Sequence, residues 1–113
     1  GLAAALNEIA MASEVSIEIQ ESALPIPSEV RGACELLGLA PLEIANEGKL
    51  LAVVSPDSAD AALAAMRSLP TGVDAAIIGT VGDGPAGRVS ARTPLGTSRI
   101  VDLPAGELLP RIC

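Results

Sequence analysis

Val15-Ser16-Ile17-Glu18-Ile19 alternates apolar and polar side chains with a period of two, the pattern of a strand with one face buried. Just before it, Leu2, Ala5, Leu6, Ile9 and Ala10 recur at helical spacing, with Asn7 and Glu8 off that face, which predicts an amphipathic helix over residues 2–13. A helix running straight into a strand implies helices packed on a sheet. Working outward, Pro25 and Pro27 interrupt the chain and Ser28 reads as an N-cap. Val30, Ala33, Cys34 and Leu37 then mark the buried stripe of a second helix, stopped by Gly38. Residues 41–44 read as a short helical turn, and Asn46-Glu47-Gly48 as a turn. Leu50-Leu51-Ala52-Val53-Val54 is a continuous apolar run, predicted as a buried strand.

Ser55-Pro56-Asp57 opens a third helix, with a hydroxyl N-cap, proline at the first helical position and a carboxylate near the positive end of the dipole. Ala59, Ala62, Leu63 and Met66 form its apolar face, and Pro70 and Gly72 end it. Residues 75–81, 87–93 and 98–103 read as strands separated by turn-rich spacers, so two consecutive hairpins are expected. The order α-β-α-β-α-β-β-β predicts an α/β (α+β) fold, a mixed sheet of about five strands packed with helices. Residues 104–113 contain Pro104, Gly106 and Pro110, follow no regular period, and are expected to be a flexible tail on a domain formed by residues 1–103.

A chain of 113 residues is the size of one domain. Half of it is hydrophobic and 19% is charged, which excludes a disordered composition. It contains no aromatic residue and no histidine. Histidine bases, histidine metal ligands, tyrosine acids and aromatic stacking platforms for single-stranded nucleic acid are therefore excluded. Chemistry must come from Cys, Ser, Thr, Asp, Glu, Lys, Arg or the backbone. The net charge of −7 argues against a nucleic-acid partner, since phosphate binding needs a concentrated basic face. The sign is uneven: residues 1–87 carry three bases and twelve acids, whereas Arg88, Arg92, Arg99 and Arg111 outnumber Asp102 and Glu107 beyond them. Such an end suits an anionic ligand or a tail folding back on the acidic body. Apolar stretches are broken by charge before the roughly 20 residues of a membrane span, so no membrane association is expected. There is no positive n-region, and Cys34 and Cys113 read as reduced thiols of a cytoplasmic protein. The first helix has no cap before it, which suggests a chain cut from something longer.

Cys34, on an apolar stripe, reads as a core thiol. Cys113 is the last residue, on a Pro/Gly-containing segment. The nine residues after Pro104 would reach about 30 Å when extended. Cys113 is therefore either an incidental terminal thiol or a thiol on a swinging arm that holds a group while different partners act on it. Arg111 would favour its thiolate and the terminal carboxylate would oppose it. Asn46-Glu47-Gly48-Lys49 reads either as a solvated turn with a weak ion pair or as a carboxylate held for general-base work. The glycine-rich stretch 79–87 lacks the ending of a phosphate-binding P-loop and reads as a hairpin connection. No residue in the chain reads as a metal ligand.

The ending Leu109-Pro110-Arg111-Ile112-Cys113 resembles the C-terminus of the [NiFe]-hydrogenase maturation factor HypE family, whose members end in Pro-Arg-Ile-Cys. Residues 2–10, 30–38, 45–50, 76–79 and 99–102 resemble that family in the same order. The family belongs to the aminoimidazole-ribonucleotide-synthetase-like superfamily, with an N-terminal ATP-binding domain and a C-terminal α/β domain; this chain resembles the second. The resemblance implies ATP and Mg²⁺ for the full-length protein, bound by the N-terminal domain, and no cofactor in this chain. It implies that a HypF-type carbamoyltransferase places a carbamoyl group on Cys113. An ATP-dependent dehydration then makes thiocyanate, and cyanide passes to iron on a HypC–HypD scaffold complex. Dehydration removes N–H protons, and Glu47 matches the family's proposed base. Partial burial should raise its pKa toward neutrality. Two other readings stand beside this one: a module that only docks partners, and a small-molecule-binding α/β domain with an incidental terminal cysteine.

Overall fold

The computed structural model describes residues 1–103. Helix α1 spans Leu2–Ser13 and ends where Glu14 adopts a left-handed conformation (φ 53°). Val15 N–H donates to Ala10 O (3.1 Å), and the chain turns into strand β1, Ser16–Gln20. Ile17 and Ile19 face inward, as the alternation predicts.

Three strands join β1: β2 (Gly79–Gly82), β3 (Val89–Arg92) and β4 (Ser98–Ile100), in the spatial order β2-β1-β3-β4. Strand β2 runs antiparallel to β1, β3 parallel to it, and β4 antiparallel to β3. The fold class is thus α/β with a mixed sheet, but the sheet has four strands where about five were expected. Of the two expected hairpins only β3–β4 forms, because β1 lies between β2 and β3. The glycine-rich connection is therefore no hairpin turn. It crosses the entry of β1 over roughly 10 Å, two strand spacings. Gly84 N–H donates to Ser16 Oγ (2.9 Å), Gly87 N–H to Val15 O (2.9 Å), and Ile17 N–H to Arg88 O (2.9 Å). A Cβ on Gly84 would lie 2.6 Å from Ser16 Oγ, and Gly87 has φ 77°, so glycine is what lets this loop lie flat on the strand end.

The core is aliphatic throughout. Ile17 is in register with Val89 and Ile19 with Ala91, and Ala3, Leu6 and Ala10 of α1 are buried in the same cluster. Alanines at two of those three helix positions let the backbone of α1 approach the sheet closely. Asn7, placed off the apolar face by periodicity, is buried at 7% exposure. Its Nδ2 donates to Ala3 O and to Val101 O, both at 2.9 Å. A buried amide is tolerated where its donors are satisfied, and here that tie joins α1 to the chain leaving β4. Val101 N–H in turn donates to Val89 O (2.9 Å).

The middle of the chain is looser. Helix α2 spans Ser28–Leu37, with Ser28 as its first residue rather than its cap, and ends at Gly38 (φ 67°). Of its predicted stripe only Cys34 is buried; Leu37 is 68% exposed, and Val30 and Ala33 are exposed too. A 3-10 turn at Pro41–Glu43 follows, and its Leu42 belongs to the core. Residues 50–54 form no strand, and Leu50 is 80% exposed, while Leu51 packs on the core's edge. The apolar run has the composition of a strand but no strand partner within residues 1–103. Helix α3, Pro56–Arg67, starts where predicted, with Ser55 as N-cap. The Ser55 hydroxyl bonds Ser58 Oγ (3.0 Å), while Ser58 N–H donates to the Ser55 carbonyl (3.0 Å). The apolar face Ala59, Ala62, Leu63 and Met66 is half-buried. Another 3-10 turn, Pro70–Gly72, precedes β2.

Candidate functional site

Glu47 sits on a segment held from both sides. Before it, Leu42 is in the core and the backbone at Gly1 lies so close to Ile44 that a Cβ there would be 2.4 Å from the Ile44 carbonyl. After it, Leu51 packs against the core. Gly48 supplies a left-handed residue (φ 71°) at a bend in the chain. Asn46, Glu47 and Lys49 are all exposed. The partial burial expected of Glu47 is therefore not provided by residues 1–103.

Cys113 and Arg111 lie outside the described residues, as does the tail expected over 104–113. What the structure does show is the point from which those residues depart. Val101 is buried and pinned through both its amide and its carbonyl. Beside it opens a shallow cleft of about 270 Å³ lined by Asn7, Arg88, Val101 and Asp102 among others. Nothing in the sequence reading singled out Asn7. The only available signal was a polar residue flanked by apolar ones at helical spacing, which periodicity assigns to the solvent side.

Two arginines of the basic end, Arg92 and Arg99, pair with the acidic body; the tail expected to fold back lies outside the described residues. Arg92 forms a forked pair with Glu18, the shortest contact being 3.2 Å from Nη2, and Arg99 Nε lies 2.6 Å from Glu21 Oε1. Glu18 is paired with Ser90 across β1 and β3, so Arg92 two residues on reaches it diagonally on the outer face. These pairs are half-exposed and contribute little stability each, but they consume two of the four arginines that made the C-terminal end basic. Cys34 is a free thiol, 3% exposed. On its other side an apolar groove of about 330 Å³ runs between α2 and the segment carrying Leu39 and Ile44. Among the described residues no cluster of three or more Cys, Asp or Glu could hold a metal ion. No helix among them is long and apolar enough to cross a membrane.

Comparison with known proteins adds a further layer. The family model for AIR synthase related protein, C-terminal domain, matches residues 1–92. Carbamoyl dehydratase HypE of Rhizobium leguminosarum bv. viciae is 54% identical over 113 residues, 100% of this chain and 32% of its own length. Carbamoyl dehydratase HypE of Rhodobacter capsulatus is 52% identical over the same 113 residues, 33% of its own length. The crystal structure of hydrogenase maturation protein HypE in complex with ATP superposes with a TM-score of 0.91 at 42% identity, covering 100% of this chain and 35% of that one. The HypE–HypF complex gives 0.87 at 47% identity, over 92% of this chain and 33% of that one. This chain thus spans about a third of the length of the curated relatives it matches.

Proposed function

The chain belongs to the AIR synthase related protein family, as its C-terminal domain, and on that premise we propose that it serves a carbamoyl dehydratase of hydrogenase maturation. The observation that carries this reading is similarity to carbamoyl dehydratases along all 113 residues. Residues 1–103 act as the body and residues 104–113 as the arm. Cys113 is the acceptor: its thiolate attacks the carbamoyl carbon held on an activated oxygen carrier by a HypF-type carbamoyltransferase, the carbon–oxygen bond to that carrier breaks with the electron pair leaving on oxygen, and an S–CO–NH₂ thiocarbamate results. In the second step the carbamoyl oxygen is phosphorylated by ATP, two N–H protons are removed, and phosphate leaves with the oxygen to give S–C≡N. Cyanide then passes to iron on a HypC–HypD scaffold in the cytoplasm, two electrons from the reduced scaffold cleaving the S–CN bond so that the Cys113 thiolate is restored.

Within this chain the parts divide as follows. Glu47 accepts a proton from the carbamoyl nitrogen. Glu47 is exposed between the core residue Leu42 and the edge-packed Leu51, where a substrate brought to this face can reach its carboxylate. Asn46 and Lys49 flank it on the same segment, and Arg111 favours the Cys113 thiolate. ATP and Mg²⁺ supply the phosphoryl group and its charge neutralisation from the N-terminal ATP-binding domain of the same protein.

The test uses the full-length protein with the carbamoyltransferase, carbamoyl phosphate and ATP, read by mass spectrometry. Wild type should gain a carbamoyl group confined to Cys113 and convert it to thiocyanate, whereas Cys113→Ser should gain nothing. Glu47→Gln should accumulate the carbamoyl form and slow its dehydration by about 10²-fold or more. An adduct elsewhere, or unimpaired cyanide delivery from Cys113→Ser, would overturn the reading. The 113-residue chain alone should neither hydrolyse ATP nor form thiocyanate.

A further inference from the structure

We propose that the apolar groove along α2 is the docking surface for the carbamoyltransferase, which meets it with an apolar ridge bordered by lysine or arginine. The inference rests on the reading above and adds the surface that reading lacks. Three features of α2 carry it. First, the helix is poorly covered: Cys34 is its one buried residue, while Leu36 is 87% and Leu37 68% exposed. A helix of ten residues has little stability of its own and normally draws it from a packed apolar face. Second, the apolar side chains of α2 line a concavity. Val30, Ala33, Cys34 and Leu37 face Leu39 and Ile44 across about 330 Å³, a shape that receives side chains from another body. Third, a wall of the groove is close in sequence to the candidate site: Ile44, which lines it, lies two residues before Asn46.

Charge selects the occupant. Over residues 28–47 the chain carries Glu29, Glu35, Glu43 and Glu47 against Arg31, and Glu29 lines the groove itself. A second copy of this chain would bring the same carboxylates face to face, and like charges across an interface oppose association. A basic border on a different protein complements them. Complementary charge also speeds encounter and rejects wrong partners, which suits a partner that must arrive, transfer its group and leave. That a relative has been crystallised as a HypE–HypF complex, matching 92% of this chain, agrees with a hetero-partner.

The test measures binding of the full-length protein to purified carbamoyltransferase by calorimetry. Leu37→Glu should weaken binding by about 30-fold or more, the loss seen when a central apolar anchor is removed. Glu29→Lys with Glu35→Lys should weaken it by roughly tenfold and flatten its salt dependence. Leu95→Glu, on the distant β3–β4 turn and 92% exposed, should bind as wild type. Wild-type affinity in Leu37→Glu would overturn the groove assignment while leaving the proposed function standing. If wild type itself does not bind the transferase, the proposed function falls and the groove with it. Two further outcomes name a different occupant and overturn the proposal. One is a sedimentation shift from dimer to monomer in Leu37→Glu with transferase binding intact. The other is a Leu37→Cys thiol, in a Cys113→Ser background, that resists alkylation before any transferase is added. A thiol that reacts freely and becomes protected only on adding the transferase supports it.

Discussion

Two regions of this molecule are built on different terms. In the first, α1, β1 and β3 enclose an aliphatic cluster in which Ile19 and Val89 are fully buried and every inward position is matched by register. In the second, α2, residues 50–54 and α3 carry as much apolar side chain, yet Leu36, Leu37, Leu50, Val53 and Val54 are exposed. Hydrophobicity is therefore not what separates them. The first region closes on itself, and the second offers faces for something else to close. The difference teaches where to look for stability and where to look for association.

Mutations can break that contrast or sharpen it. Ile19→Ala should destabilise by about 2–5 kcal/mol, because a cavity in a rigid cluster refills poorly, whereas Leu36→Ala should stay within about 0.5 kcal/mol. Urea denaturation of both variants measures this, and equal losses would erase the distinction. Asn7→Ala should cost about 1–3 kcal/mol by removing both hydrogen bonds and leaving the Val101 carbonyl without its side-chain donor. Smaller still, Glu18→Gln should cost about 0.2–1 kcal/mol at low salt and less at high salt, as expected of a half-exposed pair with Arg92. Amide exchange sharpens the contrast without mutation: Ile17 and Gln20, which donate to Arg88 and Ile78, should be protected longest, and residues 50–54 should exchange within the shortest times.

What was legible in the sequence follows the same line. Helices α1, α2 and α3 fall over the predicted residues because their signals are local: periodicity, a proline at the first turn of α3, a glycine after α2. The alternation of residues 15–19 likewise marks β1. Strand order was not legible, since pairing is decided between distant segments, and β1 inserts between two strands that follow one another in the chain. The run at 50–54 shows the limit most directly. Its composition says that it favours burial, but not which surface provides it. Asn7 illustrates the converse, a polar residue drawn inward because two carbonyls wait there. At the candidate site the turn expected over residues 46–48 is no more than a bend at Gly48, and Glu47 is exposed where partial burial was expected, because burial depends on neighbours that the local sequence does not name.

The tie from Asn7 to Val101 has one more consequence. It ties the chain leaving β4 to α1, the helix whose Ala3, Leu6 and Ala10 lie in the core, rather than to the tip of the β3–β4 ribbon. For a tethered group, the effective concentration at any target is set by the tether's length and by how firmly its base is held. If residues 104–113 serve as the proposed arm, a fixed base gives its reach a defined centre, and lengthening or shortening the chain after Leu103 by a few residues should change how efficiently Cys113 is carbamoylated.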